Sequence, residues 1–337
     1  MKRIYNDINL AERNSFGVVQ RAQTLIEFET AEDLRDYFSK SQPSKWYVLG
    51  GGNNTLFTED YDGVLLTPVS RNVTVLSETE HSVSLRVEAG ADWDTLVEWC
   101  VNRDLWGMEN LSLIPSSVGA APVQNIGAYG AEAKDVISVV EYFDTKTLNV
   151  VRLSNAQCQF AYRESIFKHE LKGRAIILAV EFELSKIAKP NLGYGDVISE
   201  VEARGGATLR NIRDAVCAIR SRKLPDTKVL GNAGSFFKNP IVERTVAERL
   251  MAEYPDMPNY LVPSDPTKIK LAAGWLIDKA GMKGYREGAV GVHDRQALVL
   301  VNHGGATGGD VLRLADKVCR VVKERFGVEI SPEVNIL

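Results

Sequence analysis

Arg163, Ser235 and Glu333 are the residues best placed to handle an anion or a proton, and each sits in apolar company. In FAYRESIFK (160–168), Arg163 follows Tyr162 and lies between Phe160 and Phe167. A guanidinium there can grip a carboxylate or phosphate through its two-pronged donor face. A snorkelling surface arginine paired with Glu164 is the plainer reading. In GNAGSFFKNP (231–240), Ser235 follows a glycine and precedes two phenylalanines. This is not G-x-S-x-G, so a nucleophile elbow is unsupported. A hydroxyl held in such a turn can give its proton to a developing carbanion, whereas a lone serine more often bonds its own turn. In the terminal SPEVNIL, burial of Glu333 would raise its pKa and make it an acid or hydrogen-bond donor. A solvated terminal glutamate is the alternative.

Two further stretches have the composition of ligand loops. LGGGNNTLF (49–57) follows the β-prone run WYVL. Glycines permit positive φ and close backbone approach, so Gly50, Gly51 and Gly52 can turn successive N–H groups into one concavity. Asn53, Asn54 and Thr55 can add side-chain donors, and such a nest suits a pyrophosphate. A tight β–β connection needs no ligand and remains open. IPSSVGAAPVQNIGAYG (114–130) is built of small residues with almost no charge. A flat or bulky ligand can lie against such a backbone and satisfy polar groups that a buried loop would leave unpaired. The alternative is a long loop packed on a sheet.

The rest of the chain must position these five stretches. Its 337 residues suffice for two or three domains, and 45% hydrophobic with 25% charged residues is ordinary for a globular protein. A net charge of −4 points away from nucleic acid and acidic membranes as partners. Cys100, Cys158, Cys217 and Cys319 are scattered, as are the four histidines, so reduced thiols and no metal site are expected. The N-terminal residues lack a signal-peptide core. No stretch approaches the roughly 18–20 apolar residues of a membrane span, so a cytoplasmic location is expected.

Short strands are expected at 46–49, 63–69, 73–76, 83–89, 136–143, 148–153 and 175–184. Asp92 should cap a helix reaching about Arg103. Beyond residue 200 the pattern turns helical, with helices at 208–222, 269–280 and 310–326, the last capped by Asp310 and stopped by Gly327. A strand is expected at 297–302, and KLPD (223–226) reads as a hinge. Neither G-x-G-x-x-G after a strand nor G-x-x-x-x-G-K-[ST] occurs, so the Rossmann and P-loop readings fall away.

In order and spacing, LGGGNNTLF, IPSSVGAAPVQNIGAYG, YRESIFKHE, SRKLPD, GNAGSFFKNP, KLAAGWLID and SPEV together resemble the UDP-N-acetylenolpyruvoylglucosamine reductase (MurB) family, over residues 49–334. The resemblance implies an α+β fold: an FAD-binding pair of subdomains of the vanillyl-alcohol-oxidase (PCMH) type, followed by a C-terminal α/β substrate-binding domain. The implied divisions are 1–70 and 71–215 for FAD, with 216–327 for substrate and the tail 328–337 returning near the first. It implies non-covalent FAD, its pyrophosphate on Gly50–Thr55, with Ile114, Pro115, Ala120, Ile126, Gly127 and Ile177 among its neighbours.

NADPH is the implied reductant, and UDP-N-acetylglucosamine enolpyruvate the implied substrate. Ser235 matches the family's proton donor, and Arg163 and Glu333 match the pair that polarises the carboxylate and stabilises the enol. Tyr162, Tyr194, Lys223, Asn239, Lys283 and Gln296 match positions contacting the UDP-sugar or nicotinamide nucleotide. The Tyr162 and Tyr194 segments resemble the longer subtype, in which a tyrosine-bearing loop folds over substrate, and a monomer is expected. One departure is visible: Asn335 stands where the family often has arginine. Two rival readings are an oxidase on the same fold and a non-catalytic nucleotide-binding protein. Such oxidases often tether flavin through His or Cys, and residues 49–57 and 114–130 contain neither.

Overall fold

A computed structural model describes residues 2–262 and 265–337. The chain divides into two compact units: Met1–Ile8, Ala22–Gly51 and Asp62–Arg222 form the first, and Asn9–Arg21, Gly52–Tyr61 and Lys223–Leu337 the second. Residues 9–21 and 52–61, placed with the N-terminal segment by the sequence division, thus pack in the second unit. The long C-terminal stretch begins at Lys223, the first residue of KLPD.

The first unit holds two sheets. One has the order Arg3–Asn9, Arg21–Phe28, Tyr61–Pro68, Trp46–Val48, and its last two strands run parallel. The other has the order Asn149–Ser154, Ile137–Asp144, Ala175–Ser185, Ser82–Glu88, Val73–Glu78, antiparallel throughout. Residues 1–45 carry no clear pattern in the sequence, yet they supply two of these strands and the helix Ala31–Lys40. Thr30 starts that helix with a capping box: its hydroxyl accepts from the Asp33 N–H while the Asp33 carboxylate accepts from the Thr30 N–H. Leu34 and Phe38 bury its apolar face against Ile26, Phe28, Leu66 and Phe143, in a core cluster shared by the two sheets.

The larger core of this unit lies under the second sheet. Trp93, Leu96, Val97 and Cys100 pack there from the helix Trp93–Val101, whose cap is Asp92, as expected. Leu209, Ile212, Val216 and Ile219 of the helix Leu209–Lys223 join the same cluster at their expected helical spacing.

The second unit has one sheet ordered Gly231–Asn232, Leu300–Asn302, Val290–Val292, Arg286–Glu287 and another ordered Ile241–Glu243, Lys268–Leu271, Asn259–Leu261. Three expectations are corrected here. Residues 269–280 are not one helix: Lys268–Leu271 is a strand and the helix is Ala273–Lys279. The run KIKL alternates, with Ile269 and Leu271 buried, and this two-residue period outweighs the helical spacing read across it. The strand expected at 297–302 is confined to Leu300–Asn302, because Val299 N–H turns back to the Gln296 carbonyl at 3.0 Å.

The last helix spans Gly308–Phe326, and its cap is Thr307 rather than Asp310. Asp310 is the third helical residue of a capping box, accepting from Thr307 N–H at 2.8 Å while the Thr307 oxygen accepts from Asp310 N–H at 3.2 Å. Gly327 ends the helix in the left-handed region, as expected. All four cysteines are free, and burial pushes the thiols of Cys100 and Cys158 up to about 12.

Thr307→Ala, which leaves the N–H groups of the first turn without their acceptor, is expected to cost about 1 kcal/mol of stability. Chemical denaturation checks this, and an unchanged midpoint would count against the capping box.

Candidate active site

In the first unit the two glycine-rich stretches meet. A Cβ on Gly50 would stand 2.7 Å from the Ser117 hydroxyl oxygen, so residue 50 lies close against the 114–130 stretch. Around this contact Gly51 and Pro115 are exposed, and Ile114, Ser116 and Ala120 are half-buried. Ile126 and Ile177 lie deeper, in the core of the unit. The accessible surface is therefore backbone, small side chains and a few apolar groups, with no charged side chain between Ile114 and Gly130. That donor set fits a flavin dinucleotide, whose ring needs flat apolar contact and whose pyrophosphate needs N–H donors.

Gly52 serves a different purpose. Its φ is +64°, and a Cβ there would come within 2.1 Å of the Arg13 carbonyl oxygen. The third glycine is thus required by packing against the Arg13–Asn14 backbone, not by a ligand.

Arg163 sits at φ +57°, a left-handed conformation uncommon outside glycine and found mostly where surrounding structure enforces it. Paired backbone bonds between Ala161 and Glu164 (3.0 and 3.1 Å) close the turn around it. Its Nη2 donates to the Gly127 carbonyl at 2.9 Å, and its guanidinium lies 5.4 Å from the centre of the Tyr162 ring. Glu164 is engaged by His169 at 2.7 Å and Lys168 at 3.6 Å.

Buried Asn125 holds this turn to the 114–130 stretch. Its Nδ2 donates to the Ala161 carbonyl at 3.0 Å and to Glu132 at 2.9 Å, and its Oδ1 accepts from Lys134 N–H at 3.0 Å. Tyr194, in an exposed segment, packs edge-to-face on Tyr129 with ring centres 6.1 Å apart.

Arg220, which the sequence does not single out, lies within a basic run near the end of the Leu209–Lys223 helix. Its Nε donates to the Leu113 carbonyl at 3.1 Å. Desolvation holds its guanidinium below the ordinary arginine range, with the like charge of Arg163 adding to the effect and Tyr129 opposing it. Burial pushes the Tyr129 phenol up. Arg220 and Arg163 thus lie within each other's electrostatic reach near Tyr129.

In the second unit, Asn232 shapes the Ser235 turn. Its Oδ1 accepts from Gly234 N–H at 2.9 Å, and its Nδ2 donates to the Leu230 carbonyl at 2.7 Å. Phe236 and Phe237 are buried, stacked edge-to-face at 5.2 Å, and Phe236 N–H donates to the Leu298 carbonyl at 2.7 Å. Ser235 is thereby presented outward beside a rigid apolar anchor. Among the described residues its hydroxyl has no hydrogen-bond partner, so it does not bond its own turn.

The C-terminal tail runs antiparallel to this segment: Phe237 bridges Pro332, Lys238 N–H donates to the Ser331 carbonyl at 3.0 Å, and Glu333 N–H donates to the Phe236 carbonyl at 2.7 Å. The last of these bonds sets Glu333, which is half-buried, in register with the residue after Ser235. Asn54 Nδ2 approaches the Glu333 carbonyl at 3.4 Å, and the Asn335 backbone and side-chain N–H groups both donate to the Asn54 carbonyl at 3.0 Å. Asn335, the departure from the family pattern, is thus a tie between the tail and the glycine-rich loop.

The remaining expected residues have local partners. Asn239 Oδ1 accepts from Ala273 N–H at 2.9 Å, capping a helix whose own cap residue, Ala272, cannot. Lys283 pairs with Asp278 at 2.8 Å, and the Gln296 backbone N–H donates to His293 Nδ1 at 3.3 Å. Lys223 is exposed at the helix end. No group of three or more acidic, histidine or cysteine side chains able to hold a metal ion occurs among the described residues. No helix among them is long and apolar enough to cross a membrane.

Fold and site together define a flavin-binding oxidoreductase with a separate C-terminal domain, and comparison with known proteins supports this. Residues 22–154 match the FAD binding domain family, and residues 225–337 match the family described as UDP-N-acetylenolpyruvoylglucosamine reductase, C-terminal domain. Proteins named UDP-N-acetylenolpyruvoylglucosamine reductase are 46% identical in Chromobacterium violaceum (98% of each chain) and 46% identical in Neisseria gonorrhoeae (100% of this chain, 98% of that protein). The one from Pseudomonas aeruginosa is 46% identical over 97% of each chain. The chain belongs to the UDP-N-acetylenolpyruvoylglucosamine reductase family. A crystal structure of the reductase from Thermus caldophilus shares its fold, with a TM-score of 0.71 at 23% identity, over 100% of this chain and 99% of that one.

Because a side chain at residue 52 collides with backbone, Gly52→Ala is expected to lower stability by about 2–4 kcal/mol whether or not flavin is bound. Thermal melts of flavin-free and flavin-loaded protein check this. A loss confined to the loaded form would instead make the ligand, and not packing against Arg13, the reason for a glycine at residue 52.

Proposed function

We propose that this protein reduces the enolpyruvyl group of UDP-N-acetylglucosamine enolpyruvate to give UDP-N-acetylmuramate, with non-covalent FAD and with NADPH as reductant. The reaction makes a peptidoglycan precursor and so serves cell-wall growth, which suits a cytoplasmic monomer. The observation that carries the reading is the backbone pairing of Glu333 with Phe236, because it joins the outward-facing serine to a half-buried acid of the tail. The division of the first unit near residue 70 into two FAD-binding subdomains belongs to the same proposal, supported by a larger core cluster whose buried residues all lie at or beyond Val83, while the smaller cluster is shared by the two sheets.

FAD, when bound, would supply the hydride that the enolpyruvyl methylene carbon takes up. Gly50, Gly51, Gly52, Asn53, Asn54 and Thr55 hold its pyrophosphate, with Gly52 contributing through the backbone alone. Ile114, Pro115, Ala120, Ile126, Gly127 and Ile177 shape the surface for its ring. Negative charge then develops on the substrate carboxylate, where the Arg163 guanidinium opposes it. Held at the Gly127 carbonyl and against Tyr162, Arg163 needs little reorganisation to do so.

Ser235 gives its hydroxyl proton to the carbon beside the carboxylate, and an otherwise unpartnered hydroxyl is free to turn toward it. Glu333 joins Arg163 in polarising the carboxylate and stabilising the enol. Arg220 adds a second positive charge within electrostatic reach of Arg163. Tyr194, Lys223, Asn239, Lys283 and Gln296 contact the nucleotide, Asn239 through the Nδ2 that its capping bond leaves available.

Anaerobic mixing tests the reading: NADPH should bleach the flavin absorbance and the UDP-sugar should restore it. A protein that purifies without flavin, or whose reduced flavin ignores the UDP-sugar, would refute it. Ser235→Ala should still be reduced by NADPH yet lose turnover by roughly 10²–10⁴-fold, as expected for removal of a general acid. Failure of the first half-reaction in that variant would contradict the assigned role. Arg163→Lys replaces a planar fork by a point charge, so turnover should fall by at least about tenfold. Near-normal rates would remove Arg163 from the carboxylate.

A further inference from the structure

The segment 187–196, which carries Tyr194, has little to hold it. Almost every residue in it is exposed, and Leu192 is the hydrophobic side chain it packs partly against the core. A stretch with so few apolar anchors opens easily unless polar ties restrain it. Asn110 and Asn191 supply such ties. Asn110, only 2% exposed, donates from Nδ2 to the Tyr129 carbonyl at 2.8 Å and to the Asn191 carbonyl at 2.9 Å. Asn191 in return donates from its own Nδ2 to the Gly130 carbonyl at 3.0 Å. A Cβ on Gly130 would lie 3.3 Å from that nitrogen and 3.6 Å from the Tyr194 Cβ, so the segment is seated on the 129–130 backbone.

Asn110 is itself firmly placed. It lies in the short 3-10 turn Glu109–Leu111, where the buried Glu109 carboxylate accepts from Gly107 N–H at 2.7 Å and Trp93 Nε1 donates to the Leu111 carbonyl at 3.0 Å. The amide therefore joins a rigid core element to an exposed segment and to the Tyr129 loop at once. Both of its N–H groups are spent on carbonyls belonging to the two parts that Tyr129 and Tyr194 bring into ring contact.

We propose that Asn110 is a positioning residue for substrate: with Asn191 it latches the 187–196 segment down and so holds Tyr194 against Tyr129. This rests on the reading above in that Tyr194 covers the UDP-sugar. The latch acts through Tyr194 and touches no reacting atom, so its loss falls on KM and leaves kcat nearly alone. Two variants of the flavin-loaded protein test it. Asn110→Ala removes the buried tie, and Asn191→Ala removes the exposed one at a position whose side chain supports nothing else in the fold.

In Asn110→Ala, KM for the UDP-sugar should rise by about tenfold with kcat within about twofold, and chymotrypsin cleavage after Leu192 and Tyr194 should speed up similarly. Asn191→Ala should show the same pattern at about threefold. A wild-type KM in either variant, or cleavage as slow as wild type in both, overturns the latch. If Asn110→Ala does not fold, Asn191→Ala decides alone. If wild-type protein does not turn over the UDP-sugar, the functional reading fails, and the cleavage rates still decide whether the latch exists.

Discussion

The candidate site of the second unit depends on a strand of only a few residues at the end of the chain. Asn335–Ile336 pairs in parallel with Thr55–Leu56, and the tail continues this lacing on both sides. Leu337 N–H donates to the Leu56 carbonyl and Thr58 N–H to the Leu337 carbonyl, while upstream Glu333 N–H and Lys238 N–H complete the pairing with the serine segment. Each bond contributes about 1 kcal/mol net, so no single one is decisive. Together they place an acid, a serine turn and a glycine-rich loop in one register. A slip by one residue would turn Glu333 to the opposite face, because side chains alternate along extended chain.

Asparagine amides carry much of the remaining organisation. Asn125 binds the Arg163 turn to the small-residue stretch, Asn232 shapes the turn before Ser235, and Asn239 caps a helix that would otherwise begin without a partner. Asn302 donates to the Phe16 carbonyl at 2.9 Å and accepts from Gly304 and Ala306 N–H groups. An amide carries two donors and an acceptor in one plane, so it can satisfy backbone groups of two loops that cannot pair with each other. Loops rich in small residues have few side chains with which to pack, and polar cross-links of this kind replace the missing apolar contacts.

Much of the fold is legible in the order of residues alone. The helical faces at Leu209, Ile212, Val216 and Ile219 and at Leu314, Val318, Val321 and Val322 announce themselves through spacing, and all but the half-buried Val321 are buried. The strands of the five-stranded sheet follow from β-branched runs. Legibility fails where two periodicities overlap, as at Lys268–Leu271, and where a cap lies one turn ahead of the obvious acid, as at Thr307. Asn335 reads as the loss of a family arginine, and only its bonds to Asn54 reveal its use. Arg220 carries no signal of its own because its distinction is desolvation beside another guanidinium, and sequence holds no record of what lies next to a side chain in space.

The sequence by itself determined which chemical groups are available, in what order, and the family to which they belong, since these follow from residue identity and local spacing. Tertiary structure alone decided that Gly50 serves close approach to Ser117 while Gly52 serves packing against Arg13. It alone decided that Ser235 faces outward unpartnered, and that the tail returns across some 280 residues to the glycine-rich loop. The physical reason is that local propensity acts over a few residues, whereas these contacts join segments whose proximity depends on burying the whole core at once.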